Sequence, residues 1–226
     1  MKCKVTLPDG RSKTNATIVW EEGVTHYAKK GEVVPCTDTA IHFYEHPLLA
    51  VFIAPFHTYE SEFILWEYVP AGKVETDGCK SWSEGGTTIR QIEIPILTTE
   101  QRVSIAIQAA LLIYYNPSFV VWAKGWLDGS DRSARSAASA EMDAARAAMA
   151  TRAISVARAA MAAERAAMAA AMAASAESDA ANAESDAASA ARAAAMAATR
   201  AASAEFDAAS AETIKTAFKY AGFNLD

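Results

Sequence analysis

The chain changes its hydrophobic period once. Up to about residue 96, apolar residues fall in short alternating or β-branched runs, and beyond it they recur at helical spacing. KVTL (4–7) predicts a first short strand, followed by the turn signal LPDGRS. TIVW (17–20) and VTHYA (24–28), separated by EEG, predict a hairpin. AIHFYE (40–45) alternates as a half-buried strand does. HPLLAVFIAPF (46–56) predicts a short helix, with Pro47 in its first turn and Pro55 near its end. EFILWEYV (62–69) carries the strongest strand pattern and TTIRQIEIPI (87–96) the next. GCKSWSEGG (78–86) between them reads as a loop.

LTTEQRVSIAIQAALLIYY (97–115) predicts a helix with Thr98 or Thr99 as N-cap, Ile105, Ala109, Leu112 and Ile113 at helical spacing, and Pro117 as its stop. PSFVVWAKGWLDG (117–129) predicts a short aromatic helix closed by Gly129. From Ser130 to Tyr220 there is neither glycine nor proline, and alanine, the best helix former, dominates. Alanine recurs every seven residues in series beginning at 159, 160 and 162. The first and third series alternate at three and four, the spacing of a coiled-coil seam, and a strict period of seven implies a left-handed supercoil. Alanine at both seam positions lets helices approach closely through many small dispersion contacts.

Residues 131–174 carry a net charge of +2 and residues 175–215 a net charge of −4. That split suits antiparallel pairing, either as a hairpin turning across Ser178–Asp186 or between two copies of the chain. One uninterrupted helix would extend about 130 Å and expose its whole methyl seam. The expected fold class is therefore α+β: a small β-rich N-terminal domain, then an Ala-rich heptad-repeat antiparallel helical coiled coil or bundle. The expected divisions are a β-rich α+β head (1–96), a helical neck (97–129), the Ala-rich heptad-repeat region (130–221) and a short tail (222–226).

Charge and composition narrow the partners. A net charge of −6 on 226 residues is unsuited to non-specific nucleic-acid binding. Cys3, Cys36 and Cys79 are an odd number without a C-x-x-C pair, as expected of reduced thiols in a cytoplasm. MKCKVTLPDG has no apolar signal core. The longest apolar run of the Ala-rich region, AAMAAAMAA (166–174), is half a membrane span. No membrane partner is expected, and the Ala-rich helices offer a route to a homo-oligomer.

The candidate chemistry is sparse. His42, Glu45 and His46 lie together in IHFYEHP, and H-x-x-E-H matches the inverted zinc-peptidase string. That motif belongs on a helix, whereas a strand over 40–45 points His42 and Glu45 to opposite faces. No metal or other cofactor is expected. His57 with Glu60, Glu62 and Glu67 offers acid and base groups with nothing to fix their geometry. Cys36 lacks a basic partner at a defined spacing, and GCKSWSEGG lacks the lysine–serine/threonine context of a phosphate loop. Trp66, Trp82, Trp122 and Trp126 read as packing residues. The methionines from Met142 to Met196 read as gap fillers on the helices.

At AIHFYEHPL the chain resembles a family of uncharacterised phage and bacterial proteins, whose N-terminal domain carries a G-F-H-x-C-E-N-P-L stretch ahead of an F-x-E-V-type strand. His42, Glu45, Pro47 and Leu48 match that stretch, while Ala40, Ile41 and Tyr44 replace its glycine, aromatic and cysteine. WLDGSDRSA (126–134), running into AARAA-type repeats, is similar to the C-terminal arrays of the same family. The resemblance implies a phage-encoded protein in the host cytoplasm. Its strand–helix–strand layout is similar to ADP-ribosyltransferase-like domains, but no nicotinamide-site triad is present. The expected function is binding rather than catalysis: a head that inhibits a host protein, a defence component, with His42, Glu45, His46, Trp66 and Trp82 as first candidates for contact. The alternatives are a small-molecule or nucleotide-sequestering protein, a degenerate transferase head, and a structural virion component.

Overall fold

A computed structural model describes residues 1–12, 17–35, 37–58, 63–76, 80–150, 154–178, 189, 190, 193, 196 and 209–225. The chain divides into two compact units, Met1–Ile96 and Leu97–Asp226.

The first unit is built on five strands: β1 (Cys3–Thr6), β2 (Thr25–Tyr27), β3 (Ile41–Phe43), β4 (Ile64–Thr76) and β5 (Ser81–Gln91). All pair antiparallel, in the order β1-β4-β5-β2, with β3 also on β5. β2 and β3 share one edge of β5, opposite Gly85–Thr87 and Ser81–Ser83 respectively. Register shifts after Trp66 and after Ala71 bend the β4–β5 ribbon. The sheet thereby curls back on itself. Just past β3, Tyr44 exchanges both backbone hydrogen bonds with Cys3 of β1, each 2.8 Å. Trp20, Ile41, Phe43 and Tyr68 form the apolar core inside this curl. Helix α1 (Pro47–Thr58) follows β3, and Leu49, Ala50, Val51, Phe52 and Ile53 are buried all round it.

Two expectations fail here for identifiable reasons. Residues 17–20 do not form a hairpin with 24–28: Val19 makes a single bridge to Arg11, and β2 pairs with β5. The Trp20 indole turns into the core and donates to Ser12 Oγ (2.7 Å), which sets that segment's direction. The loop expected over 78–86 is, from Ser81 onward, the first half of β5. Its glycines are seats for rings. A Cβ at Gly85 would strike the Tyr27 ring and one at Gly86 the Tyr68 ring. Consecutive strand residues face opposite sides, so each glycine admits an aromatic on its own face.

The second unit holds α2 (Thr99–Leu111), α3 (Pro117–Asp128), α4 (Ala134–Ala150), α5 (Ile154–Ser178) and α6 (Ala209–Tyr220). Thr98 caps α2 through a capping box with Gln101. Asn116 caps α3 ahead of Pro117, and Gly129, in the left-handed region at φ 82°, ends it. The expected coiled coil or bundle is overturned. The protein is α+β with a five-stranded antiparallel sheet and, among the described residues, six helices that are short and dispersed.

Burial shows why. On α5, Ala162, Ala163, Ala166, Ala167, Ala169 and Ala170 are all buried, spanning roughly 160° of the helix. Ala163 and Ala170 belong to none of the three heptad series, yet they are as buried as Ala162 and Ala169. The helix therefore presents a broad small-residue face, packed against both α4 and α2, rather than a seam. The proposed turn across Ser178–Asp186 lies, after its first residue, outside the described residues. No described helix is long and apolar enough to cross a membrane.

Candidate functional site

The interior of the first unit is unusually polar. Lys4, Thr6, Ser81, Ser83 and Thr88 are buried with the aromatic core. Each has a hydrogen-bond partner. Trp66 Nε1 donates to Thr6 Oγ1 (3.0 Å), Tyr68 Oη to the Gly85 carbonyl (3.0 Å) and Thr88 Oγ1 to the Glu21 carbonyl (2.5 Å). Lys4 Nζ donates to the His42 carbonyl (3.0 Å) and lies 4.6 Å from the centroid of the Trp20 ring. Burial pushes the lysine down to about 7 and the neighbouring Cys3 thiol up to about 12. Lys4 is 5 % exposed, too enclosed for a substrate to reach, so these groups hold the curled sheet together.

Sequence candidates meet in one row across β3, β5 and β4, whose middle residue, Trp82, is itself buried at 8 % exposure. Glu75, Trp82 and His42 form one lateral row across β4, β5 and β3. Trp82 Nε1 donates to Glu75 Oε2 (3.2 Å), and Glu75 also pairs with Lys73. Hydrogen bonds from Lys73 and then Trp82 hold the Glu75 carboxyl below its ordinary range. The His42 and Trp82 rings lie 6.4 Å apart and tilted. Glu75 and Lys73 escape a sequence reading that places a loop at 78–86. A hairpin reading of VETDGCKSW would have set Glu75 opposite Trp82.

The other candidates do not join this row. Glu45 accepts from Ser81 Oγ (2.7 Å) and faces Lys2 Nζ at 3.5 Å. His46 is a helix cap: its Nδ1 accepts from the Leu48 N–H (3.2 Å) at the start of α1. Burial lowers its pKa, as suits an imidazole that must stay neutral to accept. Trp66 is buried inside. Cys36, Cys79, Glu60 and Glu62 lie outside the described residues. Among the described residues no group of three His, Cys, Asp or Glu side chains is placed to hold a metal ion.

Two further rows adjoin on the same sheet, Val69–Thr87–Thr25 and Ala71–Gly85–Tyr27, tied by a 2.7 Å contact between the Thr25 and Thr87 hydroxyls. Tyr27 is 67 % exposed, Val69 53 % and Ile89 39 %. Apolar and aromatic groups thus stand open on a rigid, paired surface. At another place on this unit, a cleft of about 600 Å³ has Trp20 and Trp66 in its walls with Asp9, Glu21, Glu22 and Arg90. Asp9 is paired with Arg11 and Arg90 with Glu67 (2.8 Å), leaving the two glutamates to set the local field. That field repels phosphate, so the cleft is poorly suited to a nucleotide. No protein-family model, curated protein or solved structure matches the chain.

Proposed function

We propose that the protein acts by binding: a phage-encoded accessory protein whose first unit engages a host protein, a defence component, and inhibits it. The observation that supports this reading is the exposed surface of Tyr27, Val69 and Ile89 on paired strands, beside the His42–Trp82–Glu75 row. Solvent-exposed aromatic and branched side chains held on a rigid sheet supply contact area at little ordering cost.

The test is affinity capture from bacterial lysate with the wild-type chain and two variants. The wild type retains one stoichiometric partner. Tyr27→Ser combined with Val69→Lys loses it, and Val121→Lys, on the second unit, keeps it. All three substituted side chains are exposed, so each variant folds. Recovery of no stoichiometric partner, or equal capture by the double variant, refutes the reading.

A further inference from the structure

The strands of the first unit differ in how their outer edges are closed. Past β3, Tyr44 exchanges backbone hydrogen bonds with Cys3 of β1, and Lys4 Nζ caps the His42 carbonyl on β3. The outer half of β4, beyond its pairing with β1, holds Pro70, which brings no N–H, and bends at Gly72 (φ 76°). A proline and a bend keep an open strand edge from pairing with another chain. β2 carries neither.

The register shows which groups β2 leaves open. The Thr88 N–H donates to the Val24 carbonyl (3.2 Å) and the Ala28 N–H to the Glu84 carbonyl (2.7 Å), so residues 24, 26 and 28 turn their backbone groups toward β5. By alternation, the N–H and C=O groups of Thr25 and Tyr27 point away from it. Among the described residues nothing pairs with those groups, and both side chains are exposed. The strand is held firm from within its own sheet. The Thr25 hydroxyl meets that of Thr87 (2.7 Å), the Tyr27 ring sits over Gly85, and His26 Nε2 donates to the Val19 carbonyl (2.8 Å).

The charges beside β2 define the occupant. Glu21 and Glu22 lie in the turn before it, where the Val24 N–H donates to the Glu21 carbonyl (3.2 Å), and Lys29 and Lys30 lie just after it. Lys29 is paired with Asp38 (3.2 Å), whereas the side chains of Glu21, Glu22 and Lys30 have no partner among the described residues. An edge that is acidic at one end and basic at the other complements its own copy turned end for end, the condition for a two-fold interface. Parallel pairing would set like charges together. We infer that two copies of the chain pair antiparallel through β2, about a two-fold axis at His26, each Thr25 exchanging backbone hydrogen bonds with Tyr27 of the partner subunit. Glu21 and Glu22 of each copy then face Lys30 of the partner subunit, and the two sheets continue into one. Val69 and Ile89, on β4 and β5, are not part of this edge, so the inference is independent of the host partner.

The test is sedimentation velocity of the full chain alone between about 10 µM and 1 mM, the range suited to so short a pairing. The wild type passes from monomer to dimer across it. Thr25→Pro, whose lost N–H bonds nothing within the chain, abolishes the dimer, and Thr25→Val, which keeps the N–H, retains it. Glu22→Lys and Lys30→Glu each weaken self-association about tenfold, because like charges then meet at both ends of the interface. Mixed in equal amounts, these two variants associate as the wild type does, since each end again joins acid to base. A wild type that stays monomeric throughout the range, a dimer that survives Thr25→Pro, or charge variants that fail to restore each other overturns the pairing.

Discussion

Lys4 makes the stability of the first unit rise with pH where most proteins are indifferent to it. The side chain is buried, with one backbone acceptor and a tryptophan face, and with no ion pair among the described residues. Its folded-state pKa is pushed down to about 7 by burial and by the charge of Lys80. In the unfolded chain a lysine titrates near 10.4. Between these values the unfolded chain holds a proton that the folded chain has released, so stability increases as pH rises through the window. The penalty at pH 7 is about 4 kcal/mol and at pH 9 about 2 kcal/mol, a gain of about 2 kcal/mol over two units of pH. Cys3 works in the opposite direction. Its thiol is raised to about 12, so the unfolded chain ionises first and stability falls above pH 8.5, by somewhat under 1 kcal/mol at pH 9. Lys4→Met removes the first effect and keeps the second. Urea unfolding at pH 7 and pH 9, read by NMR of fluorotryptophan at Trp20 and Trp66, isolates this unit. The pH-induced gain of the wild type exceeds that of Lys4→Met by about 2 kcal/mol, or roughly 10 °C in Tm for a unit of this size. Equal pH responses in the two proteins refute the assignment.

Substitutions at His46, Gly86 and Gly23 probe the same unit. His46→Ala costs about 1 kcal/mol at pH 7, measured by urea unfolding, because α1 loses its N-cap. The wild type also loses stability as pH falls below about 6.5, since its imidazole titrates at lower pH when folded than when unfolded, whereas His46→Asn keeps the cap without that loss. Gly86→Ala drives a methyl into Tyr68 and to within 2.6 Å of the Val69 carbonyl, and costs about 2–4 kcal/mol in the same measurement. Gly23→Ala meets no atom within 4 Å and costs only the left-handed backbone penalty of about 1 kcal/mol.

Local patterns carried much of the first unit. β4 is legible because Leu65, Trp66 and Tyr68 are bulky residues that stay buried along one strand, and α1 because Pro47 marks its start. The failures lie where a distant residue decides. Gly85 and Gly86 look like a break until Tyr27 and Tyr68 are placed against them, and those rings come from positions remote in sequence. The candidate site follows the same rule. His42 and Glu45 are three residues apart yet serve different neighbours, Trp82 and Ser81. Glu75 joins His42 only through the register of three strands.

The alanine tract misleads for a different reason. A heptad specifies a seam only when its a and d residues differ from those at the other positions, because the difference in buried area between faces orients the helix. In α5 alanine also fills positions beside the seam, so rotating the helix costs little and its phase encodes no partner. Larger residues then decide the packing. Val103, Ile105 and Ile107 are buried on α2, which packs against α5 and α6, and Ile214 and Phe218 are buried on α6. Small side chains have a second consequence where α3 faces α4. Gly125, Ser139 and Ala140 are too small to fill the space beside Trp122, and the same economy of volume that blurs the seam leaves an open groove of about 400 Å³ there.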